Sequence, residues 1–376
     1  MKAVRWIHGV ALGAIALALL GGCASKDRLP PAPLQDIKPQ IAGKQVWHAS
    51  LSDKVRFPLA IASVKGKFYV ADEGGHVLAL EAASGRELWR ARVGDDLSAG
   101  VGSDGRWAAV VTRGNELVTL EEGAERWRAK LGIQVVTAPL VAGERVFVVG
   151  VDRSVQAFDA ATGRLLWVMR RPGDALTLGQ ASVLSAYKDN LLVGQGNRLA
   201  ALDPLKGTVR WEATVAMPRG TNEIERLSDL VGPASRVGSL FCARSYQTAV
   251  GCVDAERGST LWNVNTTGSV GVAADGDAVY ATDAADRVTA RRRSDGVSLW
   301  SNERLLNRRL SAPVVVGPTV VFGDLEGQVH FLSRSSGDIL LRLPTDGSPV
   351  VAPPALSDTT LLVATEDGGL FAFRPE

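Results

Sequence analysis

Apolar and polar residues alternate along most of this chain in short runs cut by glycine-containing turns, and the pattern recurs. "HVLALEAASGRELW" ends at Trp89 and "SVQAFDAATGRLLW" at Trp167. In each, an alternating stretch predicts a half-buried strand, an acidic residue can accept turn amide hydrogens, and glycine supplies positive φ. The chain then returns as a strand with Trp four residues after the Gly. Upstream, "PLVAGERVFVVGVDRSVQAFD" adds two further strands, with turns at "AGE" and "DRS". Four antiparallel strands in about forty residues make one propeller blade.

Trp47, Trp89, Trp127, Trp167, Trp211, Trp262 and Trp300 mark the repeats, and Leu341 stands at the next position. A tryptophan fixed once per unit predicts packing between neighbouring blades rather than ligand stacking. After Leu341 the chain holds only three more strands, whereas "GKQVWHASL", beginning at Gly43, reads as an outermost strand with no blade before it. Joining the two predicts an all-β fold, an eight-bladed β-propeller over residues 43–376 whose N-terminal strand completes the C-terminal blade. Closure of this kind removes exposed sheet edges.

The residues before the propeller change the picture of where the chain works. Lys2 and Arg5 precede a short apolar run ending in Leu20-Gly21-Gly22-Cys23, which resembles a lipoprotein signal. Residues 1–22 are therefore expected to be removed, leaving Cys23 lipidated, and Ala24 after it implies an outer-membrane address facing the periplasm. Residues 23–42, rich in proline and without periodicity, read as the lipidated cysteine and a flexible tether. Loss of Lys2 and Arg5 leaves 40 basic residues against 40 acidic ones. Such a balance offers no basic stripe for a nucleic acid.

Catalytic chemistry is hard to find. His8, His48, His76 and His330 are the only histidines, and none pairs with another at metal-ligand spacing. No nucleophile elbow or phosphate-cradling glycine loop is recognisable. We expect no catalytic residue, no metal and no cofactor. Arg291-Arg292-Arg293 and Arg308-Arg309 read as solvated strand ends or turns, a phosphate or lipid contact being the alternative. Cys242 and Cys252 lie in two strands of one hairpin, so a periplasmic disulfide or a pair of buried thiols is expected.

Two families share this type of repeat. The repeats resemble those of pyrroloquinoline-quinone dehydrogenases, but the adjacent cysteines of those enzymes are missing, and Trp107 is the only tryptophan of the mature chain outside the repeat positions. The combination of lipobox, proline-rich tether and eight repeats resembles more closely the BamB family, lipoprotein subunits of the machinery that folds β-barrel proteins into the outer membrane. Glu223-Ile224-Glu225-Arg226-Leu227-Ser228-Asp229 is similar to that family's signature "E-I-[DE]-R-L-S-D". The resemblance implies a non-catalytic protein, monomeric outside its complex, that binds the periplasmic POTRA domains of BamA and can meet unfolded barrel clients. It also implies a contact through Leu176, Leu178, Glu225, Arg226, Leu227 and Asp229. Gly179 and Val231 stand where the family carries charged residues. A propeller lipoprotein with another envelope partner is the alternative.

The signature lies in the longest interval between repeat tryptophans, from Trp211 to Trp262. Residues 168–178 and 212–230 follow the outer strands of consecutive blades, so they are expected side by side on one face. Leu176 and Leu178 beside Ile224 and Leu227 would form an apolar patch with a charged border; alternatively, the leucines simply begin inner strands.

Overall fold

A computed structural model describes residues 29–56, 59–171, 177–217 and 227–376. Among them there is no helix, and the strands form eight antiparallel sheets of four. Blade 1 consists of Ala62–Val64, Lys67–Ala71, His76–Glu81 and Glu87–Arg92, hydrogen-bonded in that order from the centre outwards. Blades 2 to 7 repeat this plan over residues 102–130, 140–169, 184–214, 230–265, 273–302 and 314–344. Blade 8 comprises Ala355–Ser357, Thr360–Ala364 and Gly369–Pro375, with Gly43–Ser50 as its outermost strand. Gly43 pairs with Pro375 and Ser50 with Gly369, so the ring closes as expected.

The strands before the glycine turns are more deeply covered than their alternation predicts. Phe68–Ala71 and Val77–Leu80 are buried at every position, because each blade packs a neighbour on both faces. One cluster joins Trp47 and Leu362 of blade 8 to Phe68 and Leu80 of blade 1 and Val110 of blade 2. The outermost strands keep exposed positions, as in Glu87–Arg92.

The tryptophans join blade to blade. Trp47 Nε1 donates to the carbonyl of Ala82, Trp127 to Ala160, Trp167 to Pro204, Trp262 to Arg293 and Trp300 to Arg334, at 2.8–3.0 Å. Each of these rings covers the turn glycine of the following blade. Gly163 has φ 72°, and a Cβ there would lie 2.6 Å from Trp127 Cδ2. The glycine thus gives both the left-handed turn and the space for the ring. Asp159 braces the same turn, accepting from the amides of Ala161 at 3.1 Å and Thr162 at 2.9 Å. Leu341 replaces the tryptophan at the closing joint, 3.1 Å from the Cβ position of Gly43.

Two features differ from the sequence expectation. Arg308 is not solvated: its side chain is 1% exposed and its Nε donates to the buried Asp324 at 2.7 Å. Residues 29–42 are extended, but they lie against blade 7 instead of hanging free. Ala32 N donates to Leu306 O at 2.8 Å and Gln40 N to Leu340 O at 2.9 Å, while Leu34 and Ile37 pack on the core. Arg291–Arg293 do end a strand and enter a turn. Arg292 pairs with Asp295, and the Arg293 carbonyl receives Trp262.

Candidate partner-binding site

In this ring the connections between blades share one face with the turns between second and third strands. On that face, the connection from blade 3 to blade 4 meets the connection from blade 4 to blade 5. Leu178 N donates to Asp229 Oδ2 at 3.2 Å. Arg153, in a turn of blade 3 with φ 64°, holds the other carboxylate oxygen through Nε at 2.9 Å and Nη2 at 2.8 Å. Blade 5 grips the same segment from below: Tyr246 N donates to Asp229 O at 2.9 Å, and Ser245 Oγ to Ser228 O at 2.6 Å. Leu230 N reaches Gly196 O of blade 4 at 2.8 Å, and Gly232 N reaches Ala181 O at 3.0 Å. One aspartate therefore ties together elements of blades 3, 4 and 5.

This arrangement decides what Asp229 can do. Its side chain is 13% exposed and that of Arg153 21%, so most of the carboxylate is occupied within the molecule. Asp229 sets the position of the Leu178 loop more than it offers a free charge. Leu178 and Leu227 are half-buried, and Leu178 lines a depression together with Thr137, Val151, Arg153, Thr177, Gln180 and Asp229. Met217, 68% exposed on the blade 4 to 5 connection, adds an apolar side chain at this rim that the sequence reading did not select. Arg153 was also missed, since a turn arginine 76 positions from Asp229 carries no local sign of the pairing. Leu176, Glu225, Arg226 and Cys23 lie outside the described residues.

Other polar groups serve the fold. Cys242 and Cys252 face each other across the second and third strands of blade 5, and their sulfurs are bonded. Asp53, Asp72 and His76 approach one another closely. Asp72, however, already accepts from the amides of Ser52 and Asp53 at 3.0 Å and of His76 at 2.9 Å, which makes it a turn brace. Arg244 is buried, pairs with no carboxylate among the described residues, and donates to the carbonyls of Thr267 and Thr282. Burial lowers its pKa to about 10.

Comparison with known proteins agrees with this architecture over nearly the full chain. The family profile described as "Outer membrane protein assembly factor BamB" matches residues 37–96 and 73–302. Proteins of that name from Burkholderia pseudomallei and Bordetella pertussis are each 36% identical to it. The first match spans 99% of this chain and 98% of the relative, the second 95% of each. The crystal structure of BamB from Moraxella catarrhalis superposes with a TM-score of 0.80 at 25% identity, over 89% of this chain and all of that one. A quinohemoprotein alcohol dehydrogenase from Comamonas testosteroni, 14% identical with a TM-score of 0.68 over 88% of this chain and 76% of that one, shares the propeller fold alone. The chain belongs to the BamB family of outer membrane protein assembly factors.

Proposed function

We propose that this protein is a non-catalytic subunit of the β-barrel assembly machinery, anchored through Cys23 to the periplasmic face of the outer membrane. It binds the POTRA domains of BamA with the junction of Leu178, Leu227 and Asp229, extended by Leu176, Glu225 and Arg226. The observation that carries this reading is the hydrogen bond from Leu178 to Asp229. It draws the loop after blade 3 against the end of the family-like signature, on one rim. A small apolar centre with a polar border is the composition that transient protein interfaces favour.

The test is capture of a BamA POTRA fragment by the purified chain. Leu176→Ala with Leu178→Ala should weaken binding about tenfold or more, the loss expected if the pair forms a hot spot of the contact. The circular dichroism spectrum should stay unchanged. Equal capture by the variant and the wild type would remove this site from consideration. Retention of POTRA binding by the wild-type chain at high salt would further favour the apolar part of the contact.

A further inference from the structure

The docked segment at residues 29–42 fixes where the membrane-anchored chain leaves the propeller. Its first residues sit on the connection between blades 6 and 7. Asn307 Nδ2 donates to Pro30 O at 3.3 Å, and Arg308 Nη1 donates to Ala32 O at 2.9 Å. Arg308 is itself held by Asp324 and Glu326 at the next turn of blade 7. From there the segment descends beside the outermost strand of blade 7. Arg342 Nη1 donates to Gln35 O at 3.2 Å, and Gln40 reaches Leu340. Leu34 and Ile37 pack against the cluster containing Leu305, Leu310 and Ile339, and Ile41 against the cluster containing Val329 and Leu341. The segment then enters blade 8 at Gly43 from the opposite face.

The exit point therefore lies on the same face as Leu178 and Asp229, displaced around the ring. Leu29 lies six residue steps from Cys23, and a fully extended chain covers at most about 3.6 Å per step, or roughly 20 Å in all. Were the segment free, the twenty residues from Cys23 to Gly43 would reach about 70 Å, and either face could turn to the bilayer. We infer that the docked segment 29–42, locked by Arg308, turns the face carrying Leu178 and Asp229 towards the anchoring lipid surface. A domain bound on that face then lies between the propeller and the bilayer. This rests on Cys23 being the anchored residue.

The test separates geometry from lipidation. In the chain from Cys23 to Glu376, Cys23 is the one thiol outside the Cys242–Cys252 bond, so it can be coupled directly to maleimide lipids in phosphatidylethanolamine/phosphatidylglycerol vesicles. A donor dye is placed by azidophenylalanine at Asp367, on the Leu178 face, or at Thr359, on the opposite face, with acceptors in the lipid headgroups. Strands of this length put the faces about 20 Å or more apart, so transfer from Asp367 should exceed transfer from Thr359 about twofold. Leu34→Ser with Ile37→Ser should release the segment and erase the difference. Inserting about twelve Gly/Ser residues after Ala24 should reduce transfer from both positions without touching the fold. Equal transfer from the two positions in the unmodified chain would overturn the inference, as would a difference that survives release of the segment, checked by fast hydrogen exchange at Ala32 and Gln40. Whether cells lipidate Cys23 is read separately, from the mass of the N-terminal peptide of envelope-extracted protein. An unlipidated peptide would remove the anchor and leave the measured geometry standing.

Discussion

Gly163 and His330 show how much of this fold is decided by single residues. Alanine at Gly163 would carry a β-carbon into a left-handed turn and into the Trp127 ring. Gly143 is also left-handed, at φ 57°, but a β-carbon there meets nothing within 4 Å. Gly143→Ala should therefore lose only the backbone part, about 1–2 kcal/mol. Gly163→Ala should lose about 1–3 kcal/mol more from overpacking, read as a lower urea midpoint at equal slope. His330 is a different case. Its Nε2 lies 2.8 Å from Asp324 Oδ2, and its Nδ1 3.4 Å from Arg342 Nε, a pairing that suits the neutral ring with the proton on Nε2. Burial lowers its pKa, the charges of Arg342 and Arg308 act in the same direction, and Asp324 opposes them. An unfolded histidine takes its proton near pH 6.5, whereas the folded one does so only at lower pH. Between those values the unfolded state binds more protons, so stability present above about pH 6.5 is lost as the pH falls. Thermal unfolding of wild type and His330→Gln between pH 7.5 and 5 should show the acid limb flatter in the variant.

At the scale of elements, the candidate site is a joint between loops. Arg153 holds Asp229 through two guanidinium nitrogens, so the two should act as a unit. Arg153→Ala and Asp229→Ala should each weaken POTRA capture several-fold, and the double variant should lose little more than either single one. Additive losses would mean that Asp229 meets the partner with a charge of its own. The sequence was informative wherever the chemistry is local and repeated. The Gly-to-Trp spacing marks every blade but the seventh, where Leu341 replaces the tryptophan, Asp159 and Asp203 announce their turns, and the blade connections locate Leu178 beside Asp229. It was silent where partners are distant. Arg153 reads as an ordinary turn residue, because its partner lies two blades along the ring. Arg308 reads as one of two exposed arginines, because Asp324, Glu326 and the docked N-terminal segment converge on it only after closure. The half-buried reading of the strands before the glycine turns failed for the related reason that a strand cannot show in its own sequence that both faces will be covered.

For the whole molecule, the ring depends on one strand brought from the far end of the chain. Gly43–Ser50 covers the edge of Gly369–Pro375, and Trp47 carries the seam into blade 1 by its hydrogen bond to Ala82 and its ring over Gly85. Without that strand, a row of backbone donors and acceptors beside Phe371 and Phe373 would be left open, an edge suited to pairing with another chain. Blade 1 would also lose the tryptophan that every other normal joint retains. A chain beginning at Leu51 should therefore associate, seen by light scattering as species larger than the monomer, and unfold at a lower temperature than the chain beginning at Gly43. Adding a synthetic Gly43–Ser50 peptide in excess should restore part of both properties, since it supplies the same register in trans. A chain from Gly43 lacks the segment that packs on blade 7 but keeps the closing strand, so it should remain monomeric. Association of that chain as well would mean that the segment at 29–42, and not the strand, guards the seam. A truncated chain from Leu51 that stays monomeric and equally stable would show that three strands suffice to finish the eighth blade.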